Sequence, residues 1–222
     1  EAAKATLLTA ENNLAASKQK LDTLETQASV SLSGQVSLAQ STIAEQLLKA
    51  DSALGELDDI FSSIKLSDAL TRSEPDGEAD VRSSRLRAGS AISSAIAATS
   101  SATGDYRAAL DAFQTARSAV VQTSSVLTQA YNLVSSLPEL STYTASDREA
   151  DKASISALRS TVQGVQTTFD TSVKALQDAS ASYDTQIQAE QNAITAAEGT
   201  RSRANADILT YESSVRISEA QL

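Results

Sequence analysis

The sequence contains no cysteine, histidine, methionine or tryptophan among its 222 residues. Without cysteine it can form no disulfide, thiolate nucleophile or cysteine-ligated zinc site. Without histidine, the Ser-His-Asp and Cys-His catalytic arrangements are excluded within the chain. The glycines are scattered singly, so there is no glycine-rich phosphate loop, and no asparagine begins an Asn-x-Ser/Thr acceptor sequence. These absences predict a protein with no catalytic residues, no metal and no cofactor.

Large apolar side chains and positive charge are also scarce. Apolar residues make up 41% of the chain, much of this is alanine, and the only aromatics are five tyrosines and three phenylalanines. A long narrow bundle suits this composition, because each helix then buries only a stripe. The net charge of −10 disfavours nucleic acids and anionic membrane surfaces. No apolar run approaches the roughly 20 residues of a transmembrane helix. Any membrane attachment is therefore expected to lie outside these residues.

The only prolines, Pro75 and Pro138, are predicted to lie in connections, because proline inside a helix costs about 3 kcal/mol. They divide the chain into three helical segments, at about residues 2–66, 83–136 and 147–222. The acidic segment 74–80 does not have the ligand spacing of an EF-hand calcium loop. We interpret it as a turn whose acids stabilise the start of the next helix.

Apolar residues recur with heptad spacing in all three segments, which is typical of packed helices. In the first segment they are Leu47, Leu54 and Phe61, with Ile43, Ala50, Leu57 and Ile64. In the second they are Tyr106, Phe113, Val120, Leu127 and Val134, with Ala109, Ala116, Thr123, Ala130 and Leu137. In the third they are Ile155, Leu158, Val162, Val165, Phe169, Val173 and Leu176, then Ile187, Ile194, Ile208, Val215 and Leu222. This pattern predicts an all-α fold, a single elongated up-down-up three-helix bundle over residues 1–222.

Three local features refine this prediction. Residues 30–38 alternate apolar and polar like a strand, but a hairpin there would have no sheet to join, so we expect helix with a bend near Gly34. Gly104 marks a second expected bend. The segment 146–149 fits a capping box at the start of the third helix.

Candidate functional residues are few. The acid pair Asp58–Asp59 points in two directions from a helix, so we interpret it as solvated surface charge. The second connection carries Leu137, Leu140 and Tyr143, and exposed loops and aromatic side chains often carry recognition. We therefore predict these three residues as a contact surface. An up-down-up bundle would place residues 137–146 at the end that holds Glu1, with residues 74–80 and the C-terminus at the opposite end.

The cysteine-free, alanine-rich, acidic composition, with very long predicted helices, resembles the alanine-rich surface proteins of insect-stage trypanosomes. Their type member is the glutamic acid and alanine-rich coat protein. This sequence departs from that family in having more serine and less glutamate. The resemblance covers most of the chain and rests on composition and architecture. It implies a GPI-anchored helical bundle in a dense coat and no catalytic residues.

The sequence thus predicts a non-enzymatic coat or adhesion ectodomain on the extracellular side of the cell surface. Its partners would be the membrane, through a C-terminal lipid or membrane anchor outside the sequence, and neighbouring coat proteins or a host surface. Because Glu1 stands where an initiator methionine would be, we expect a trimmed ectodomain or a fragment. Two alternatives stay open: an intracellular helical scaffold or coiled-coil fragment, and a helical surface receptor that binds a host protein or nutrient at its distal end.

Overall fold

The computed structural model describes residues 1–102 and 106–221. Every regular element within them is an α-helix, which confirms the all-α class. The helices of this described part are α1 (Ala2–Phe61), α2 (Ile64–Ser73), α3 (Pro75–Ser101), α4 (Tyr106–Ser136) and α5 (Ala145–Ala220). The predicted three-helix up-down-up bundle is not confirmed. Gly104, with its expected bend, and Leu222 lie outside the described residues.

The chain divides into two compact units where the sequence predicted a single domain. Unit 1 comprises Glu1–Leu32 and Gln177–Leu222, and unit 2 comprises Ser33–Leu176. Helices α1 and α5 contribute to both units, while α2, α3 and α4 lie wholly within unit 2. The apolar register of α5 shifts between Leu176 and Ile187, next to this boundary, but the spacing is helical on both sides, which favoured a single domain.

Unit 2 contains four antiparallel helical passes, formed by the second half of α1, by α3 and α4, and by the first half of α5. The Gln40 amide of α1 donates hydrogen bonds to the backbone oxygens of Thr99, at 3.0 Å, and of Ala102, both at the C-terminal end of α3. Gly77 at the start of α3 lies against Leu133 near the end of α4. The predicted second helix is therefore two helices, because α3 ends at Ser101 and the chain reverses before α4.

The first connection differs most from the prediction. Helix α1 ends at Phe61, and Ser63 adopts an extended conformation before α2 begins. Ile64, predicted in the apolar seam, is consequently 89% exposed. Pro75 does interrupt the chain, but it stands at the first position of α3, where a proline leaves no donor unsatisfied. The connection around it is the single residue Glu74, so most of residues 67–82 are helical rather than loop.

The heptad prediction holds for the core of unit 2. In α4 the large apolar seam residues from Phe113 onward are fully buried, while Tyr106 is only half-buried. Residues of the other three passes complete this core: Ile43, Leu47, Leu54, Leu57, Phe61, Ile92, Ile155, Val162, Val165 and Phe169. Burying each such side chain contributes about 1.5–3 kcal/mol, so this continuous core accounts for the stability of unit 2.

Unit 1 is a pair of antiparallel helical segments, the first part of α1 and the second part of α5. We call this pair the hairpin, although no turn joins its two segments directly. Lys18 of α1 forms an ion pair with Glu198 of α5 at 3.6 Å, and Lys20 forms one with Glu190. Its buried apolar side chains are few and mostly small: Ala10, Leu14, Ala28 and Ala204. Residues 30–32, the part of the ambiguous segment in this unit, are helical, and the rest of residues 30–38 continue α1 without a strand.

The predicted polarity is wrong in both units. In unit 1, Glu1 lines the same groove as Val215 and Arg216, so the two terminal segments lie together. In unit 2, Thr142 of the second connection donates a hydrogen bond to Asp68 of α2 across 3.1 Å. The two connections therefore lie at the same end. The connections lie together because two antiparallel passes, α3 and α4, run between them, whereas the single helix predicted there would have separated them.

Candidate functional site

The predicted contact surface at the second connection is mostly buried. Tyr143 is 1% exposed, Leu137 is equally inaccessible and Leu140 is half-buried. The backbone explains this, because Leu140 and Tyr143 exchange two hydrogen bonds, of 2.9 and 3.2 Å, in a tight turn that directs the tyrosine ring inward. Leu137 and Tyr143 are therefore core residues, and the prediction that they are exposed for recognition is wrong.

The Tyr143 hydroxyl is satisfied inside the protein. It donates a hydrogen bond to Asp151 Oδ2 of α5 across 3.0 Å. Burial, with the Asp151 carboxylate beside it, raises the pKa of the Tyr143 hydroxyl well above its usual range. Burial also raises the pKa of Asp151, although the hydrogen bond from Tyr143 acts in the opposite direction. The pair holds the connection against α5.

The start of α5 carries a capping box, two residues earlier than predicted. The backbone N–H of Thr144 donates to Asp147 Oδ2 at 3.0 Å, and the backbone N–H of Asp147 donates to Thr144 Oγ1 at 3.3 Å. Lys65 of α2 donates to Asp147 Oδ1 at 2.8 Å. The hydrogen bond from Lys65, followed by those from Thr144, holds the pKa of the Asp147 carboxyl well below its usual range.

A further arginine closes this network. Arg148 Nη1 donates to the Leu137 backbone oxygen at 2.7 Å, and its Nη2 lies 3.9 Å from a Glu139 carboxylate oxygen. Tyr143, Asp147 and Asp151, which all have shifted pKa values, belong to this end of unit 2. Shifted pKa values often mark catalytic sites, but ion-pair networks that hold structure produce them too. Each polar group here fixes the connection in place.

The other acidic candidates also have structural partners. Asp58 lies 3.1 Å from the Arg85 guanidinium and 3.9 Å from that of Arg82. Glu78, in the first turn of α3, pairs with Arg82 at 2.9 Å. The interpretation of segment 74–80 as a helix start is supported by the acids in this first turn, although the Glu74 side chain makes no capping hydrogen bond. Across the described residues, no group of three acidic side chains is arranged to hold a metal ion.

Sequence reasoning missed an aromatic contact on the outer face of unit 2. The Arg159 guanidinium lies 5.1 Å from the centre of the Tyr131 ring, and the Lys152 ammonium lies 5.8 Å from it. Both distances suit cation–π attraction. The available signal was the position of Tyr131, which falls outside the heptad seam of α4.

A larger site, also missed, lies in unit 1. A groove of about 860 Å³ runs between the start of α1 and the end of α5. It is lined by Ala2, Ala3, Ile208, Tyr211 and Val215, with charged residues at its rim. Tyr211 is 68% exposed and Val215 is 56% exposed. The sequence placed Val215 in a buried stripe, but the hairpin supplies only two helices there, so its seam stays open to solvent.

Comparison with protein-family models, curated proteins and solved structures gives no match. None of the described helices is both long enough and apolar enough to cross a membrane. The functional argument therefore rests on the geometry of the chain itself.

Proposed function

We propose that this protein acts without catalysis, by presenting the helical hairpin of unit 1 to partner proteins, with unit 2 as the stable scaffold. The observation that carries this proposal is the exposure of large apolar side chains near the end of α5. Tyr211 and Val215 lie four residues apart on the face of α5 that lines the groove, and they are 68% and 56% exposed. Soluble proteins rarely leave an apolar groove of this size uncovered unless it serves an interaction.

The contrast between the units supports the same assignment. Unit 2 buries most of the large side chains of its seam, as at Phe113 and Phe169. Within the described part of unit 1, one large apolar residue, Leu14, is buried beside three alanines. A binding face must remain accessible in the free protein, and a two-helix hairpin leaves its seam half open.

The proposed setting is the extracellular side of a cell surface, with attachment through a segment outside residues 1–222. The composition and long helices, which resemble those of alanine-rich coat proteins, support this setting, and an elongated particle is part of the proposal. Small-angle scattering tests the shape, because a compact chain of this length would have a radius of gyration of only about 17 Å.

Crosslinking on intact cells tests the function. A photoreactive amino acid replaces Tyr211, and in a matched control it replaces Val121, which is exposed in unit 2. A membrane-impermeant label reports whether the protein is outside the cell. We expect labelled protein and protein adducts from position 211 well above those from position 121. Equal adducts from both positions would contradict a binding role for unit 1. Adducts on protein that the label never reaches would favour an intracellular scaffold.

A further inference from the structure

The buried seam of unit 1 continues without change of spacing into the open groove. Ala204 is buried, and Ile208, Tyr211 and Val215 follow it at intervals of four, three and four residues. Residues at these intervals share one face of a helix. The same stripe is therefore covered by α1 at Ala204 and uncovered at Tyr211 and Val215. The side chains of this stripe have the spacing that packs against another helix. A helical surface therefore fits this groove.

The charges around the groove differ from those along the rest of the hairpin. Lys18 and Glu198 form an ion pair across the two helices. The rim of the groove also carries charges of both signs, but they are not joined in this way. These rim residues are Glu1, Lys4, Asp207, Glu212 and Arg216. Among the described residues, none of these five side chains has an ion-pair partner. Three of these side chains are acidic and two are basic, so a strongly basic or strongly acidic partner would meet like charges as well as opposite ones.

We propose that a second copy of this chain covers the groove, so that two unit 1 hairpins pack their open seams together. In a two-fold interface the same patch is used by both copies, and a patch with both signs of charge can complement itself. Tyr211 and Val215 of each copy would then be buried against the other, with Lys4 and Arg216 facing partner acids. This inference rests on the proposed function, because it names the partner of the same surface.

Sedimentation equilibrium of the purified chain tests the apolar part. The wild type is expected to form a concentration-dependent dimer. Replacing Tyr211 and Val215 together by serine should weaken dimerisation about thirtyfold or more, because central apolar anchors carry most of an interface's binding energy. Val121→Ser, an exposed position of unit 2, is the matched control and should leave the dimer intact. A monomeric wild type, or a dimer that survives the double substitution, would overturn the inference.

Charge reversal provides a second test, which is needed if the serine variant loses helix. It leaves the apolar stripe intact. One variant carries Lys4→Glu and Arg216→Glu, and the other carries Asp207→Lys and Glu212→Lys. Each alone should be mostly monomeric, and an equimolar mixture should form a heterodimer. A mixture that stays monomeric would refute the charge complementarity. If the purified wild type is monomeric while position 211 still crosslinks to a different protein on cells, the inference fails and the proposed function stands.

Discussion

The hydroxyl of Tyr143 donates a hydrogen bond to Asp151 Oδ2 across 3.0 Å and thereby joins the second connection to the first turns of α5. The tyrosine ring is almost fully buried and Asp151 is half-buried, so the bond is partly shielded from water. A hydrogen bond to a charged acceptor in such a place contributes more than one at the surface. The connection that sequence reasoning assigned to recognition is therefore one of the best-fixed parts of unit 2.

Substitution of Tyr143 should separate packing from hydrogen bonding. Tyr143→Phe keeps the ring but leaves Asp151 without its donor, and it should lower the free energy of unfolding by about 1–2 kcal/mol. Tyr143→Ala also removes the ring and should cost about 3–5 kcal/mol. Urea denaturation followed by circular dichroism measures both. Equal losses for the two variants would mean that the ring contributes nothing to packing.

Asp151 should give unit 2 a distinctive pH dependence. Its folded-state pKa is raised, so its contribution to stability is fully present below the unfolded pKa of about 4 and is lost as the pH rises through the folded value. Asp151→Asn keeps an acceptor for Tyr143 but does not ionise. The variant should therefore be more stable than the wild type at pH 7, and this difference should shrink on acidification towards pH 4. A constant difference between pH 4 and pH 7 would contradict the assignment.

The seam of α4 was predictable because a regular heptad alone determines which face is buried. Phe113→Ala should cost roughly 3–5 kcal/mol, since the side chain is fully buried. Ile64 shows where the same reasoning fails. It fits the heptad of α1 by number, but the helix ends before it, and Ile64→Ala should change stability by less than about 0.5 kcal/mol. The two variants are compared by thermal unfolding, and similar losses would mean that Ile64 is buried in solution.

The remaining features depend on interactions that a single sequence does not display. The turn at Tyr143 is set by backbone hydrogen bonds with Leu140 and by an acid eight residues away. Heptad spacing does not say how many helices surround a stripe, so it could not distinguish the covered seam of unit 2 from the open groove at Tyr211. Proline marked the first break correctly, but its tolerance at a first helical position made the connection far shorter than expected.

Two glycines in helices should respond differently to substitution. A Cβ on Gly164 of α5 would meet nothing within 4 Å, so Gly164→Ala should stabilise the protein by about 0.5–1 kcal/mol through helix propensity. A Cβ on Gly77 would lie 2.7 Å from Leu133 Cδ1, so Gly77→Ala should show little of that gain. Measuring Gly77→Ala both with and without Leu133→Ala tests the cause. If the Gly77→Ala gain does not rise when Leu133 is shortened, the close approach is not responsible.

The pair formed by Lys20 and Glu190 should behave asymmetrically. Glu190 lies in the seam of the hairpin with its side chain only 11% exposed, whereas that of Lys20 is 66% exposed. Lys20→Ala leaves a nearly buried carboxylate without its cation, so it should destabilise unit 1 by about 1–3 kcal/mol. Glu190→Ala removes the buried charge and leaves the lysine in water, so it should cost less or even stabilise the hairpin. Hydrogen exchange of the amides of residues 10–28 and 187–204 measures the local effect.

The double variant completes the cycle, and its stability should match that of Glu190→Ala, because the lysine then has no buried partner to satisfy. A larger loss from Glu190→Ala than from Lys20→Ala would show instead that the carboxylate stabilises the hairpin through contacts other than this ion pair.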